Sequence, residues 1–395
     1  MKIQRIAAIL LLSLCLIPAN SLISSSAFTA NPITSTLVIP SQVYDDPIVI
    51  TSNAELAALS SAGVGTRSDP YIIEDLDIAS VNCLTVVQTT AFFVIRDSIF
   101  TQRSSGVGSI ETVSFSQVEH GTIEGCYVRG GDSAISISTS SDCVIIDCMT
   151  FGAYDGILLD SSTNCTIVDS TIFGNSIGAM LVSSSSCKII NNSLYGNSER
   201  GVHIEVLCEN NTIAGNKIGW NTNSNAIDNG NNTVFTDGIV SGNEWADFNE
   251  SEDYQIQGSG SSTDQFASRL ADDDIPLLYD RLDFVVDVEN TGETITWTVS
   301  DDFHYRYEIY VDDELLVSEL WDGGSVTLGL DQFGVGIYTL TLSVFDGAGN
   351  EATDEVIMSV ISFVLGGIGT ELVMLASGVT FVCFIAIILV IKRYP

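Results

Sequence analysis

Basic residues are scarce in this sequence, in which 395 residues include 14 Lys and Arg against 50 Asp and Glu, for a formal net charge of −36. Binding to nucleic acid requires clusters of Lys and Arg that neutralise phosphates, so this class of partner is excluded. Only 16% of the residues are charged and 45% are hydrophobic, which excludes a disordered acidic chain. The length predicts two or three folded domains.

Histidine is rare as well, and the three histidines, His120, His203 and His304, lie far apart in the sequence. The sequence contains no HExxH, CxxC or GxGxxG motif. The usual signatures of zinc proteases, thiol oxidoreductases and dinucleotide-binding proteins are therefore missing. The sequence says more about architecture and location than about chemistry.

The two ends of the chain predict export and membrane anchoring. Residues 1–27 combine two early positive charges, an apolar run from Ile6 to Ile17 and a stretch of small residues, which is the pattern of a signal peptide. Residues 372–391 form an uncharged stretch long enough to span a bilayer as one helix. Because Lys392 and Arg393 follow, we expect residues 392–395 to be cytoplasmic and the preceding domains to be extracellular. The alternatives are an N-terminal transmembrane helix and a buried C-terminal helix.

A repeat of about 22 residues runs through the middle of the chain. Two columns recur at this interval: Cys143, Cys165 and Cys187, and Ile145, Ile167 and Ile189. Each unit alternates short apolar runs with Gly, Asn and Ser, which predicts strands of three to five residues joined by tight turns. A unit of this length matches one three-sided coil of a parallel β-helix, whose coils stack about 4.8 Å apart. Leucine-rich repeats share the period, but their recurring leucines are absent.

Three motifs carry a family resemblance: Gly63–Ile73, Asn192–Asn197 and Gly242–Phe248. With them, the chain resembles the right-handed parallel β-helix proteins of the NosD-like, or carbohydrate-binding and sugar-hydrolase, superfamily. The resemblance implies an all-β fold with a β-helix domain over residues 28–250, in which residues 71–250 form about eight coils. Its motifs identify the fold far better than an activity.

A third region follows an acidic, Ser- and Gly-rich linker over residues 251–275. Residues 276–361 contain alternating apolar strands about ten residues apart, with turns at Asn290–Gly292, Asp312–Glu314 and Asp346–Asn350. This spacing predicts a β-sandwich. The region resembles the Ig-like stalk modules of prokaryotic surface proteins, which we expect here to be archaeal, and the resemblance implies that Trp297 is a core aromatic residue.

Candidate catalytic residues are carboxylates and one histidine that could share an outer face of the β-helix. Alternation places His203 and Glu205 on the same side as Asp160, and Asp155 lies nearby, with Asp132 as a further member. Paired carboxylates of this kind carry out glycoside hydrolysis, and a carboxylate with a basic residue serves lyases. The signatures of the pectin-hydrolase relatives are missing, so the alternative is a set of solvated polar residues. Copper delivery, which the name of the NosD relatives implies, would need soft surface ligands that three dispersed histidines do not provide.

An aromatic ladder is expected from Phe151, Phe173 and Tyr195, which are 22 residues apart, with Trp220 nearby. Exposed, it would offer a stacking platform for sugar rings; otherwise it fills space inside the solenoid or at a corner. Seven cysteines lie in the exported part of the chain. They are expected to be buried free thiols, although the coil spacing also permits a disulfide between Cys143 and Cys165.

Two further kinds of site are expected outside the repeat columns. Asp346, Asn350 and Asp354, together with Asp301 and Asp302, offer oxygen ligands for Ca²⁺, but the same residues are ordinary turn formers. No other cofactor is expected. Five N-glycosylation sequons occur in the exported part, at Asn164, Asn191, Asn210, Asn231 and Asn249.

These observations leave three functions open. The first is a membrane-anchored recognition or adhesion protein that binds an extracellular polysaccharide or a surface protein through its β-helix. The second is a polysaccharide hydrolase or lyase that uses the Asp155, Asp160, His203 and Glu205 face. The third is a structural component of the cell envelope.

Overall fold

The computed structural model describes residues 43–44, 46–103, 110–238, 241–249, 253–271 and 274–362. The predicted signal peptide (1–27), transmembrane helix (372–391) and cytoplasmic tail (392–395) lie outside the described residues. Among the residues that are described, no helix is long and apolar enough to cross a membrane.

The chain first forms a parallel β-solenoid with three sides. Each coil contributes one strand to each of three parallel sheets, and neighbouring strands within a sheet come from successive coils. Within the described residues, the ten-stranded sheet comprises Val43–Tyr44, Asp77–Ser80, Ile99–Gln102, Tyr127–Arg129, Met149–Phe151, Thr171–Phe173, Ser193–Tyr195, Lys217–Gly219, Glu244–Trp245 and Ser268–Arg269. The eight-stranded sheet comprises Ile48–Ile50, Leu84–Thr89, Val113–Val118, Ser133–Ser138, Asp155–Asp160, Ile177–Val182, Arg200–Ile204 and Ser224–Asp228. The seven-stranded sheet comprises Tyr71–Glu74, Phe93–Arg96, Gly121–Glu124, Val144–Ile146, Thr166–Val168, Lys188–Ile190 and Thr212–Ala214. The prediction of a parallel β-helix is confirmed.

The repeat columns stack in register inside the solenoid. Ile145 pairs with Ile167, and Ile167 pairs with Ile189, in adjacent strands of the seven-stranded sheet. All three side chains are fully buried, because each is covered by the coils above and below. Thr166 faces the other way and is half-buried, as strand alternation requires. The predicted register of this column is therefore correct.

Polar ladders line the corners of the solenoid. The side chain of Asn192 accepts a hydrogen bond from the backbone of the preceding coil and donates to the Asn216 side chain at 3.0 Å. Asn216 in turn donates to Asn243 at 2.9 Å, and Asn243 donates to the carboxylate of Asp264 at 3.0 Å. Each amide thus satisfies buried backbone groups at a turn, and an anionic acceptor ends the ladder.

The seven cysteines between residues 83 and 208 are all buried and unbridged. Cys143, Cys165 and Cys187 stand on successive coils, as Cys126 and Cys148 do in a second column. The thiols lie near backbone carbonyl oxygens of their own turns, as Cys126 does to Glu124 at 3.3 Å. Burial raises the pKa of the Cys126 and Cys208 thiols, which favours the neutral form of these interior side chains.

A short helix over Asn53–Leu59, which the repeat pattern did not predict, lies near the N-terminal end of the solenoid. The Ser52 hydroxyl caps it by accepting a hydrogen bond from the Glu55 amide, and its Leu56 side chain is fully buried in the solenoid core. The following turn requires glycine at position 63, where φ is +87° and a Cβ would collide with the Pro70 carbonyl.

The solenoid continues beyond the predicted boundary at residue 250. Ser268–Arg269 adds a last parallel strand to the ten-stranded sheet, and Tyr254–Gln255 pairs with Thr263–Asp264 in a small antiparallel hairpin. Ile256 and Leu270 are buried. Most of the segment that the composition assigned to a linker therefore completes the C-terminal coil.

The second folded part, called here the C-terminal β module, spans Leu277–Ile361. Its five-stranded sheet has the order Phe284–Asp287, Glu351–Ile361, Gly336–Asp346, His304–Val311 and Glu314–Leu320. Two ribbons accompany this sheet: Leu277–Leu278 with Val299–Ser300, and Thr294–Trp297 with Val326–Gly329. Trp297 is fully buried in the core and donates a hydrogen bond through Nε1 to Asp354 at 2.9 Å. The assignment of this module as Ig-like stays a prediction.

Candidate functional site

The aromatic ladder exists, and it stands on the outer side of the ten-stranded sheet. The ring centroids of Phe151 and Phe173 are 5.2 Å apart, those of Phe173 and Tyr195 are 5.5 Å apart, and both pairs are stacked. The neighbouring residues Thr150, Ile172 and Leu194 occupy the alternate, inward positions. The three rings are nevertheless fully buried.

The C-terminal β module covers this ladder. Its His304 ring meets Phe173 edge to face at 5.0 Å between centroids, and its Phe303 ring meets Tyr195 in the same way at 5.2 Å and Trp220 at 4.9 Å. The loops beside the ladder allow this close approach because they carry glycine: a Cβ at Gly174 would lie 3.0 Å from the Leu320 side chain. The ladder is the interface between solenoid and module in this structure, and its buried rings leave no free face for a sugar.

The eight-stranded sheet presents a different outer surface. One outward column combines hydroxyl, apolar and imidazole groups in successive coils: Thr85, Ser114, Ser136, Leu158, Met180 and His203. A second column, two residues further along, contains Val87, Ser116, Ser138, Asp160 and Val182, and Glu205 extends it beyond the last strand pair. Most of these side chains are half-buried, so the surface mixes accessible hydroxyls and carboxylates with an apolar strip.

His203 is the centre of a charged cluster at one end of this face. Its Nε2 lies 3.4 Å from a carboxylate oxygen of Glu205, and its Nδ1 lies 3.5 Å from Nη1 of Arg200. The same Arg200 nitrogen lies 3.5 Å from Glu199. Burial, and secondly the Arg200 charge, lower the pKa of His203, so the imidazole is neutral at pH 7. Arg200 was not among the predicted site residues, because residues three apart in a regular strand face opposite sides, whereas here the Arg200 side chain lies beside His203.

Asp155 lies at the corner where the eight-stranded sheet begins. Only 7% of the residue is exposed, and its Oδ1 atom is buried without a hydrogen-bond partner. Burial raises the pKa of this carboxyl to about 6, and the charges of Asp132 and Glu199 act in the same direction. An acid with such a pKa can exchange a proton near neutrality, which is the property that a general acid or base requires.

The four predicted catalytic residues do not form one contact cluster. His203 and Glu205 meet, whereas Asp155 and Asp160 belong to a strand that is separated from theirs by Ile177–Val182. Two coil spacings correspond to about 9.6 Å between backbones. The Asp160 carboxylate accepts a hydrogen bond from its neighbour Ser161 at 2.9 Å. A ligand would have to span several coils to contact all four residues.

The residues predicted to bind Ca²⁺ are engaged in separate tasks. Asn350 donates through its backbone and side chain to the Asp346 carboxylate, at 2.8 Å in each case, which closes the last hairpin turn. Asp354 is paired with Leu342 in the sheet and accepts from Trp297 and from the Arg281 amide. Across the described part of the chain, no group of three or more His, Cys, Asp or Glu side chains could hold a metal ion.

The five sequon asparagines are all exposed. Asn164, Asn191 and Asn210 occupy solenoid corners with positive φ, a conformation that asparagine tolerates better than most residues. The backbone conformation therefore gives these three positions a structural reason to be asparagine, and glycan attachment stays a prediction.

Residues 174–178 read Gly-Asn-Ser-Ile-Gly and so fit the letters of the G-x-S-x-G nucleophile motif. That motif works at a sharp turn from a strand into a helix, where the serine is raised above a sheet. Here the segment joins Thr171–Phe173 to Ile177–Val182, which are two strands of the solenoid, and Asn175 is buried in a corner ladder. The structural context of a serine hydrolase is therefore absent at this motif.

Comparison with known proteins bears on the solenoid. Residues 72–263 match the family model described as NosD, periplasmic copper-binding protein. No curated protein matches the chain. Among solved structures, a double mutant of the periplasmic alginate epimerase AlgG shares 13% identity over 55% of this chain and 45% of its own, with a TM-score of 0.33. The A-module of the mannuronan C-5 epimerase AlgE6 from Azotobacter vinelandii shares 17% identity over 48% of this chain and 54% of its own, with a TM-score of 0.33.

A third solved structure, the enzymatically active domain of tailspike protein 2 from bacteriophage CBA120, shares 10% identity over 79% of this chain and 71% of its own, with a TM-score of 0.34. The present chain spans about half the length of the two epimerases. Similarities this distant carry no argument about activity.

The copper named in the family description can be tested against the residues that are present. Met180 lies beside His203 on the adjacent strand and would add a soft sulfur ligand to its imidazole. The Arg200 guanidinium, however, is 3.5 Å from Nδ1 of that imidazole and would repel a metal cation. His120 is stacked on Phe92, and His304, which belongs to the C-terminal β module, is buried against Phe173 of the aromatic ladder. The described residues do not fit a copper centre.

The fold, the register of the repeats and the family match all identify the same segment of the chain as a β-helix. This agreement holds although the residues present do not fit a copper site. The sequence motifs predicted a NosD-like solenoid, and the matched segment is the segment that coils. Residues 72–263 of this chain are therefore a NosD-like parallel β-helix.

Proposed function

We propose that this chain is an extracellular, membrane-anchored recognition protein that binds a polysaccharide along the outer face of its eight-stranded sheet. The observation that carries the proposal is the composition of this face, where hydroxyl and carboxylate groups lie beside the apolar Leu158 and Met180 in ladders that run across the coils. Sugar rings offer hydroxyl groups around an apolar face, and this surface is complementary to both.

The repeat geometry supports a linear ligand. The coils present equivalent positions about 4.8 Å apart, a spacing similar to the length of one sugar unit in an extended chain. The ten-stranded sheet cannot serve in the same way, because its aromatic ladder is covered by the C-terminal β module. Export and anchoring are supported by the sequence patterns of residues 1–27 and 372–391.

The proposal is tested by binding of the full-length, detergent-solubilised protein to an array of polysaccharides. Leu158→Arg places a long charged side chain on the proposed face, whereas Thr166→Arg places the same side chain on the outer face of the seven-stranded sheet. We expect the first variant to lose binding and the second to keep it. Equal loss in both variants, or binding that survives both, would contradict the proposed location.

A second candidate function, polysaccharide cleavage, is favoured by one specific observation. Asp155 is a buried carboxyl with a pKa raised to about 6, which suits proton transfer in a hydrolase or lyase. Sustained release of shorter oligosaccharides, abolished by Asp155→Asn, would favour the enzyme. Binding without any release would favour the recognition protein.

A further inference from the structure

We propose that the end of the C-terminal β module that points away from the solenoid binds an extended segment of a partner protein, in which apolar side chains alternate with Lys or Arg. The site consists of the hairpin tip, defined here as residues 311–316, and the free edge of the strand that begins there. This inference goes beyond polysaccharide recognition and does not depend on it, because the site lies on the other folded part of the chain.

The strand order leaves one edge of the module open. Glu314–Leu320 is the outermost strand of the five-stranded sheet, so within the described part of the chain it pairs only with His304–Val311. The unpaired N–H and C=O groups of such an edge can pair with another extended chain. Natural proteins often protect an edge strand with lysine or proline, and Glu314–Leu320 contains neither residue.

The hairpin tip is preformed and stands clear of the solenoid. His304 begins its strand against the aromatic ladder, whereas Val311 ends the same strand seven residues later, about 23 Å away. Asp312 ties the tip to the neighbouring strand: its amide donates to the Thr339 carbonyl, and its carboxylate accepts from the Thr339 amide, both at 2.9 Å. A partner segment would therefore meet a surface that is already ordered, which lowers the cost of binding.

A cavity of about 410 Å³ opens at the hairpin tip and is lined by Val311, Asp312, Glu314, Leu315 and Leu316. Beside it the pairing register shifts between Ile309 and Tyr310, which inserts an extra residue into the edge strand. Both leucines are exposed here, Leu315 by 55% and Leu316 by 41%. Exposed apolar side chains around a concavity of this size are suited to bury an apolar side chain of a partner.

The charge of the module indicates which partner fits. Leu277–Ile361 contains eighteen Asp and Glu against two arginines, and one of these, Arg306, is already paired with Glu308. Three exposed carboxylates belong to the hairpin tip itself: Asp312, Asp313 and Glu314. A second copy of this chain would bring the same negative charges into the contact and would be repelled, whereas a segment with Lys or Arg would be attracted.

The test uses the full-length, detergent-solubilised protein and three synthetic peptides of equal length, in which Val alternates with Lys, Val alternates with Glu, or Ser alternates with Lys. Fluorescence anisotropy measures their binding at low and at raised salt. We expect the Val–Lys peptide to bind at least about tenfold more tightly than the other two, because only this peptide offers both apolar and cationic side chains. Its binding should weaken in raised salt and should slow amide hydrogen exchange over residues 314–318.

Two pairs of matched variants locate the effect. Leu315→Ser removes an exposed apolar side chain from the tip, Glu314→Lys reverses a charge there, and each should lower the affinity for the Val–Lys peptide about tenfold. Val234→Ser and Glu209→Lys make the same changes at exposed positions of the solenoid and should leave this affinity unchanged.

Equal binding of the three peptides, or binding that survives both tip variants, would overturn the proposal. Dimerisation of the protein that Leu315→Ser abolishes would also overturn it, because the surface would then belong to a second copy of the chain. Polysaccharide binding should be the same in both tip variants as in the wild type, so this inference and the proposed function can fail separately.

Discussion

The Tyr195 hydroxyl donates a hydrogen bond to the backbone carbonyl of His304 at 3.0 Å, although the two residues are 109 positions apart. Tyr195 closes the aromatic ladder of the solenoid, and His304 begins the strand of the C-terminal β module that lies against it. The contact fixes the module beside the ten-stranded sheet. The solenoid and the C-terminal β module are therefore not independent of each other, because they share a buried cluster of side chains.

Because this interface is closely packed, we expect a single added methyl group at a glycine in the interface to destabilise the protein strongly. A Cβ at Gly347 would lie 2.5 Å from Cδ2 of Tyr195, inside van der Waals contact. We expect Gly347→Ala to lower the melting temperature and to increase amide hydrogen exchange around residues 303–305 and 195. Gly334→Ala serves as control, because nothing lies within 4 Å of a Cβ at that position. Identical melting of the two variants would show that the module does not dock as described.

The interface also predicts that the stability of the protein depends on pH, because it buries His304. Burial lowers the pKa of this imidazole below its ordinary value of 6.5, since the ring lies among Phe173, Tyr195 and Trp321. Asp301, Asp302 and Asp322 act in the opposite direction without reversing the shift. Because its pKa is lowered by folding, neutral His304 contributes its full stabilisation of the folded state above about pH 6.5. This stabilisation is lost as the pH falls through the lowered value.

Thermal melts between about pH 7.5 and 5 test this dependence. We expect the wild-type melting temperature to fall more steeply than that of His304→Phe, which keeps an aromatic ring but cannot be protonated. Parallel pH profiles of the two proteins would show that His304 does not couple docking to pH.

Inside the solenoid, the middle of the isoleucine column should be the least replaceable position. Ile167 is fully buried between Ile145 and Ile189. Ile167→Ala should lower the free energy of unfolding by about 2–5 kcal/mol, through lost burial and the cavity that remains. Ile167→Asp should prevent folding, whereas Thr166→Asp, which faces outward, should be nearly neutral. Greater damage from Thr166→Asp in a chemical denaturation experiment would contradict the register.

The asparagine ladder ends at Asp264, near the C-terminal end of the solenoid. We expect the solenoid to be sensitive to substitution at this position. Asp264 accepts hydrogen bonds from the Asn243 amide at 2.7 Å, from the Asn243 side chain at 3.0 Å and from Trp245 Nε1 at 3.0 Å. Asp264→Ala leaves these buried donors without an acceptor and should lower the free energy of unfolding by more than about 3 kcal/mol. Asp253→Ala removes an exposed carboxylate from the same segment and should have little effect on the denaturation midpoint. A midpoint that moves equally in both variants would show that the ladder ends elsewhere.

The sequence by itself determined the solenoid. A 22-residue period forces equivalent residues into vertical columns, so the burial of Ile167 and the outward position of Thr166 follow from local alternation and the repeat alone. The same reasoning correctly placed His203 and Asp160 on one outer face, because register within a parallel sheet is transmitted from coil to coil. The resemblance to Ig-like modules implied Trp297 as a core aromatic residue, and its side chain is fully buried.

Only the tertiary structure decided what covers the aromatic ladder and which polar groups are left unsatisfied. Phe151, Phe173 and Tyr195 face outward by alternation, and nothing in the repeat indicates that Phe303 and His304, more than 100 positions after Tyr195, will bury them. The orphaned oxygen of Asp155 and the position of Arg200 beside His203 depend on side-chain packing around a corner. Such contacts join residues that are distant in sequence, and a local periodicity carries no information about them.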